Sequence, residues 1–323
     1  MEIRCRNVSH GLQLGLGYLI SSGVKEPSRN GAVLAAPEPV TITYQFPQER
    51  VLRSAARNAN PFFHFMESLW MLAGRNDLSF PLTFNSKFGA YSDDANTLNG
   101  AYGFRWRKHF ELDQLEAAVE MLRADPTTRR CVVSMWDPAY DLLSKSKDIP
   151  CNTHIYLDAR GGVLNMTVCN RSNDVLWGAF GANAVHMSVL QEFVALRLGL
   201  PLGFYRQFTN NLHLYTDILS KEAAMRMIMD LHDTDMALAD EPVIAVPIIG
   251  TPIAVWLQDL SAFMSGTLTH TFADPIFSDV AVPMYQAWVN RRTKMGQQFA
   301  ETIKDSEWRG ACTEWLARNI KEQ

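Results

Sequence analysis

Cys151 stands in Asp148-Ile-Pro-Cys-Asn-Thr153, directly after a proline and among polar residues. Twenty positions later comes Arg171, in Asn170-Arg-Ser-Asn-Asp174. A guanidinium beside a thiol favours the thiolate, the nucleophilic form. A lone cysteine is more often a small buried hydrophobe, so both readings stand at this point. Adjacent Arg129 and Arg130, just ahead of an apolar run, can present paired forks to a phosphate or simply cover a solvated face. His213 and Tyr215 lie two residues apart, so on a strand both point the same way and can donate to a sugar hydroxyl; satisfied core residues are the plainer account. Glu67 sits in Phe62-Phe-His-Phe-Met-Glu-Ser-Leu-Trp-Met-Leu72, apolar on nearly every side, where a carboxylate is costly unless paired or used. Asp174 and Asn183 flank Val175-Leu-Trp-Gly-Ala-Phe-Gly-Ala182, whose glycines let backbone or ligand approach closely.

These residues must be positioned by elements that the patterning sketches. Pro39–Phe46 alternates apolar and polar residues around β-branched types and predicts a strand. Phe62–Leu72 predicts a buried helix, and Leu112–Leu122 a helix that ends at Asp125-Pro126. Cys131–Trp136 follows as a strand. His154–Ala159 and Val163–Cys169, joined through Arg160-Gly161-Gly162, predict a hairpin. Asn183–Leu198 carries a wide apolar helical face through Val185, Val189, Leu190, Phe193, Val194 and Leu198. Leu202–Asn210 reads as strand and Leu214–Leu231 as helix. Beyond Val255 the chain reads as mostly helical, with Pro283 opening one amphipathic stretch and Ser306 capping another. Strands and helices without a βαβ rhythm or a Gly-rich dinucleotide loop indicate α+β.

A chain of 323 residues, 47% hydrophobic and 20% charged, has the composition of a globular protein with a large core. A net charge of -4 argues against a backbone-binding nucleic-acid protein. The five cysteines are scattered and odd in number, with no Cys/His metal spacing, so neither a disulfide framework nor a metal is expected. The first twenty residues superficially resemble a signal peptide. Gln13 and three glycines interrupt the apolar stretch, and no small-residue cleavage site follows. No run approaches the ~18 apolar residues of a membrane span. A reducing, cytoplasmic setting is the expectation, with no nucleic-acid or membrane partner.

The order of these features resembles the thymidylate synthases and their pyrimidine nucleotide hydroxymethylase relatives, including phage-type enzymes. Arg-Arg, a strand ending in Trp, Pro-Cys, Arg-Ser-x-Asp, Gly…Asn and His-x-Tyr recur in sequence. The interval from Cys151 to Arg171 is the family's; those from Arg171 to Asn183 and to His213 fit with one residue inserted after Gly178. Upstream, Ser28-Arg-Asn-Gly31 resembles the phosphate-loop arginine, Glu67-Ser-Leu-Trp-Met-Leu72 the glutamate helix, and Ala101-Tyr-Gly-Phe-Arg-Trp106 the tyrosine-glycine segment. The likeness covers roughly residues 10 to 220.

The resemblance implies a thymidylate synthase-like α+β fold with a large mixed sheet. Residues 1–235 would form the catalytic part, and 236–323 a mostly helical extension packed on it. It implies that Cys151 attacks ring carbon 6, while Glu67 and Tyr102 manage protons and Asp174 faces the folate pterin. Arg29, Arg171 and Ser172 would hold the phosphate of a pyrimidine deoxynucleoside monophosphate, joined by Arg129 and Arg130 from the second subunit of a homodimer with shared sites. Asn183, with Asn152 near the same edge, would read the base, and His213 and Tyr215 the sugar. The implied donor is 5,10-methylenetetrahydrofolate. Adding a thiolate at carbon 6 makes carbon 5 nucleophilic; the carbon delivered there then ends as methyl after hydride transfer or as hydroxymethyl after hydration.

The sequence departs from the synthases where that outcome is chosen. Asn85-Ser-Lys-Phe-Gly-Ala-Tyr-Ser-Asp93 has none of their shielding tryptophans. Glu314–Gln323 is charged and predicted helical, unlike their folate-closing tail. Asn152 stands for their histidine, and Thr209-Asn210-Asn211 for their Gly-Gly-Asp. A wetter pocket favours hydration, so hydroxymethylation leads over methylation. The Asn183 amide matches the uracil edge and favours dUMP, with dCMP open. A nucleotide-binding relative without turnover is the alternative from another class, although a mere binder has no need of Cys151.

Overall fold

The computed structural model describes residues 1–238 and 243–320. The last three residues of the predicted C-terminal helix lie outside the described residues. Among the described residues, ten strands form two sheets: β1 Glu2–Cys5, β2 Val24–Ser28, β3 Gly31–Ala35, β4 Val40–Tyr44, β5 Val132–Ser134, β6 Asn152–Asp158, β7 Leu164–Asn170, β8 Asn173–Asp174, β9 Leu202–Thr209 and β10 Leu212–Tyr215. The larger sheet runs β1-β4-β9-β7-β6-β5 and the smaller β2-β3-β10-β8. Both mix parallel and antiparallel pairs, with β1 parallel to β4 and β7 parallel to β9.

The first helices are α1 Val8–Ser22, α2 Pro61–Leu72, α3 Pro81–Phe84, α4 Tyr102–Phe104, α5 Gln114–Ala124 and α6 Pro138–Asp141. Then follow α7 Ala182–Leu198, α8 Lys221–Leu238, α9 Ile253–Met264, α10 Val282–Val289, α11 Lys294–Glu301 and α12 Ser306–Asn319.

The large sheet is two-faced because its side chains alternate with period two. Val133, Ile155, Leu157, Met166, Val168 and Tyr205 are buried on one side, whereas Val132, Tyr156 and Phe208 on the other remain exposed.

Helix α2 starts where the Asn60 side chain accepts the Phe63 N–H, with Pro61 in the first helical position. All twelve of its residues are buried. A helix apolar on every side needs neighbours on every side. It contacts α7, and Phe62 and Phe65 meet Trp288, Trp315 and Trp308 of the C-terminal helices at ring-centroid distances of 5.2–5.9 Å. Helix α12 is tied to the segment before α2 through reciprocal Asn58–Asn319 amide hydrogen bonds.

Three expectations need correction. The predicted helix Leu214–Leu231 is strand as far as Tyr215, and α8 begins only at Lys221, because β3 and β8 capture the 212–215 backbone from both sides. Helix α12 is capped by Asp305, which accepts from Trp308 N; Ser306 instead accepts from Ile244 N. The 112–122 helix runs 114–124, since the Asp113 carboxylate accepts from Leu115 N and Glu116 N and sets its start.

Candidate active site

The β6–β7 hairpin explains the interval of twenty residues. Cys151 precedes β6 and Arg171 follows β7, so the antiparallel return brings the two together beyond the Asn152–Asn170 pair. The Arg171 N–H donates to Cys151 O at 2.9 Å. Its guanidinium donates to Pro150 O at 2.8 Å and Ile149 O at 2.9 Å, and one nitrogen lies 3.7 Å from Cys151 Sγ. Burial nevertheless pushes the Cys151 thiol up; Arg171 opposes this, Asp148 reinforces it, and Arg29 opposes it more weakly. The sequence expectation of an arginine-favoured thiolate therefore holds in sign, but desolvation outweighs it.

Tyr102 braces the same turn. Its hydroxyl accepts the N–H groups of Cys151 at 3.3 Å and Asn152 at 3.4 Å. Burial raises its phenol. Gly103 lets this segment approach α2 closely, since a Cβ there would collide with Met71 O. Asp148 accepts from Gly100 N at 2.7 Å, and burial raises its carboxyl. Asn152 is fully buried and accepts from the Asn170 amide, so its side chain is held within the β6–β7 pair.

Helices α2 and α7 supply two further buried polar groups. Glu67 is 5% exposed and His186 3%. His186 Nε2 lies 3.2 Å from Glu67 Oε2, yet without hydrogen-bond alignment, and both imidazole nitrogens are buried without a hydrogen-bond partner. One turn before Glu67, His64 is held well below the ordinary histidine range by burial, then by Arg57 and His186.

Asp174 begins the π-helical turn Val175–Ala179 by accepting from Leu176 N and Trp177 N at 2.8 and 2.7 Å. Its other oxygen is buried and unpartnered, and burial raises its carboxyl. One face of the predicted pterin contact is thus occupied by helix capping. Gly178 packs where a Cβ would strike Asn173 Oδ1 and sit 3.4 Å from the Asn183 side-chain nitrogen, so the Asn183 amide lies against this turn. His213 pairs with Asp174 in register and bonds to the Asn211 side chain at 2.9 Å; its ring meets Tyr215 at 5.1 Å. Trp177, 46% exposed, lies 6.4 Å from Tyr215.

Arg29 is exposed in the β2–β3 turn, and Ser172 is half-buried beside Arg171. Arg129 and Arg130 are exposed ahead of β5; neither is among the charges that act on Cys151. Sequence reasoning missed His64, His186, Arg57 and Tyr91. His64 and Glu67, like Asn183 and His186, are three residues apart, a helical repeat that could have signalled shared faces. Arg57 donates to Leu176 O at 2.8 Å, and burial lowers its guanidinium. Tyr91 lies in the tryptophan-free stretch. Its phenol is raised by burial and then by Tyr215, Asp174, Asp148 and Glu67, all groups of this site.

The thymidylate synthase family model matches residues 17–237. The chain is 43% identical to the deoxyuridylate hydroxymethyltransferase of Pseudomonas phage M6, over 98% of this chain and 93% of that protein. Identity is 38% to the deoxyuridylate hydroxymethyltransferase of Bacillus phage SP01, over 62% of this chain and 56% of the relative. A putative thymidylate synthase of Methanothermobacter marburgensis is 34% identical over 41% of this chain and 57% of its own length. With two thirds of its length matched and a cysteine braced by arginine and tyrosine at its centre, the chain belongs to the thymidylate synthase family.

Proposed function

We propose that this enzyme transfers a one-carbon unit to carbon 5 of dUMP and hydrates it, releasing 5-hydroxymethyl-dUMP. Near-full-length similarity to a phage deoxyuridylate hydroxymethyltransferase carries the reading. The site is consistent with it. Cys151, as thiolate, adds to ring carbon 6 and makes carbon 5 nucleophilic. Arg171 and Arg29 favour that thiolate and, with Ser172, take the phosphate. Asn183 offers a donor and an acceptor to the uracil edge, with Asn152 buried in the wall behind Cys151; His213 and Tyr215 face the sugar. Tyr102 holds the Cys151 turn, and Glu67 is the proton-transfer carboxylate.

The residues at the mouth fit a pterin-like ring. Asp174 keeps one unpartnered oxygen for ring N–H groups, and the exposed Trp177 indole offers a stacking surface. When bound there, 5,10-methylenetetrahydrofolate supplies one carbon at the oxidation level of formaldehyde.

We further infer a homodimer through the exposed face of the large sheet. Val132, Tyr156 and Phe208 lie on that face. Arg129 and Arg130 adjoin its β5 edge, from which they would reach the partner's phosphate site. Five free cysteines suit a reducing cytoplasm, the host's if the chain is phage-encoded. Among the described residues no helix is long and apolar enough to cross a membrane.

The test is mass analysis of products from dUMP and dCMP with 5,10-methylenetetrahydrofolate. 5-Hydroxymethyl-dUMP and tetrahydrofolate are expected from dUMP, with Cys151→Ala inactive but still nucleotide-binding. Dihydrofolate formed one-to-one with dTMP would establish methylation instead, and faster turnover of dCMP would overturn the base assignment.

A further inference from the structure

Helices α2 and α7 each present two polar side chains one turn apart: His64 and Glu67 on one, Asn183 and His186 on the other. Helical periodicity puts each pair on one face. Where the helices meet, His186 Nε2 comes within 3.2 Å of Glu67 Oε2. Neither imidazole nitrogen has a hydrogen-bond partner, although the residue is 97% buried (3% exposed). Buried polar atoms are rarely left so, and those without a protein partner characteristically hold water or a ligand. Asn183, the proposed base reader, is one turn away on the same helix. The unsatisfied imidazole therefore shares a helix face with the amide proposed to fix the ring and lies beside the carboxylate proposed to move protons.

We propose that His186 holds the water that hydrates the exocyclic methylene group, orienting it against Glu67. This deepens, and rests on, the hydroxymethylase reading. The water oxygen bonds to the methylene carbon while one of its protons passes to Glu67. The methylene π electrons move into the ring as an enolate. That enolate expels the Cys151 thiolate from carbon 6 and restores the ring double bond. Atoms and electrons balance without oxidant or reductant, so the step needs only a held water and a base. One turn from Glu67 on the same helix, His64 is held well below the ordinary histidine range by burial, then by Arg57 and His186.

The experiment compares wild type, His186→Leu and His186→Gln, using dUMP tritiated at carbon 5, 5,10-methylenetetrahydrofolate and 2-mercaptoethanol. Tritium release reports the steps up to loss of the carbon-5 proton; mass analysis counts hydroxymethyl product and the thioether formed when thiol captures unhydrated methylene. Calorimetry reports dUMP affinity. In His186→Leu, hydroxymethyl product per tritium released should fall by about tenfold or more, with thioether in its place and dUMP affinity within about threefold of wild type. The His186→Gln amide, which can still hold water, should restore most of the ratio, and should His186→Leu fail to fold, the ratio in His186→Gln and in His186→Ala decides. An unchanged ratio overturns the inference while leaving the hydroxymethylase reading intact, as does a parallel loss of tritium release and product. Wild-type conversion of dUMP to dTMP overturns both.

Discussion

The Tyr102 hydroxyl accepts the backbone N–H of Cys151 at 3.3 Å, so a residue 49 positions upstream fixes the turn that carries the proposed nucleophile. The same oxygen accepts from Asn152 N at 3.4 Å. Tyr102→Phe would leave both N–H groups without this acceptor in a buried setting. The expected loss is about 1–3 kcal/mol of stability, read by urea unfolding, together with a lower kcat. Unaltered unfolding and kcat would show that the hydroxyl does not brace the turn.

Arg171 acts on Cys151 both as a charge and as a brace, and two substitutions separate these roles. Burial holds the thiol high while Arg171 lowers it, so removing the cation raises the thiol further and decreases the thiolate fraction at fixed pH. Iodoacetamide labelling of Cys151, followed by peptide mass mapping at pH 8, should slow by about 3–10-fold in Arg171→Ala. Its pH midpoint should move upward. Arg171→Lys keeps the charge and should stay closer to wild type. Equal slowing in both variants would assign the effect to the backbone brace alone.

If Arg129 and Arg130 serve the second subunit, two inactive chains should rescue each other. Arg130→Ala and Cys151→Ala, co-refolded in equal amounts, should recover about a quarter of wild-type activity, because half the dimers are mixed and each mixed dimer has one intact site. Either parent alone should be inactive. A monomer in sedimentation analysis, or no recovery after demonstrated chain mixing, would refute shared sites.

Glu307 lines a cleft of about 430 Å³ with Arg6, His10, Glu49, His232 and Asp235. Burial, then the charge of Asp305, pushes its carboxyl up to about 7 from its ordinary value of 4.5. The folded state therefore binds the proton more tightly than the unfolded state. Stability from this group is present below pH 4.5 and is lost as pH rises through 7. Glu307→Gln should be more stable than wild type at pH 8 by about 1–3 kcal/mol, allowing for partial solvent screening, and nearly equal at pH 5. A difference independent of pH would place the effect outside this titration.

Much of the site was legible in the primary structure because local chemistry carries it. Two seven-residue strands and a Gly-Gly turn dictate that Cys151 and Arg171 return to one another. The apolar run around Glu67 announces a helix buried on all sides, since only packing partners can cover such a surface. Elements that owe their form to distant partners were not legible: the 212–215 backbone is strand because β3 and β8 flank it.

The sequence by itself determined the family and the likeness to a nucleotide-modifying enzyme, through residue types at fixed intervals. Only the tertiary structure decided how those residues are tuned. Burial outweighs Arg171 at the Cys151 thiol, helix capping occupies one oxygen of Asp174, and the packing of α2 on α7 sets His186 beside Glu67. Desolvation, capping and helix contact depend on what surrounds a group in three dimensions, and linear spacing does not contain that information.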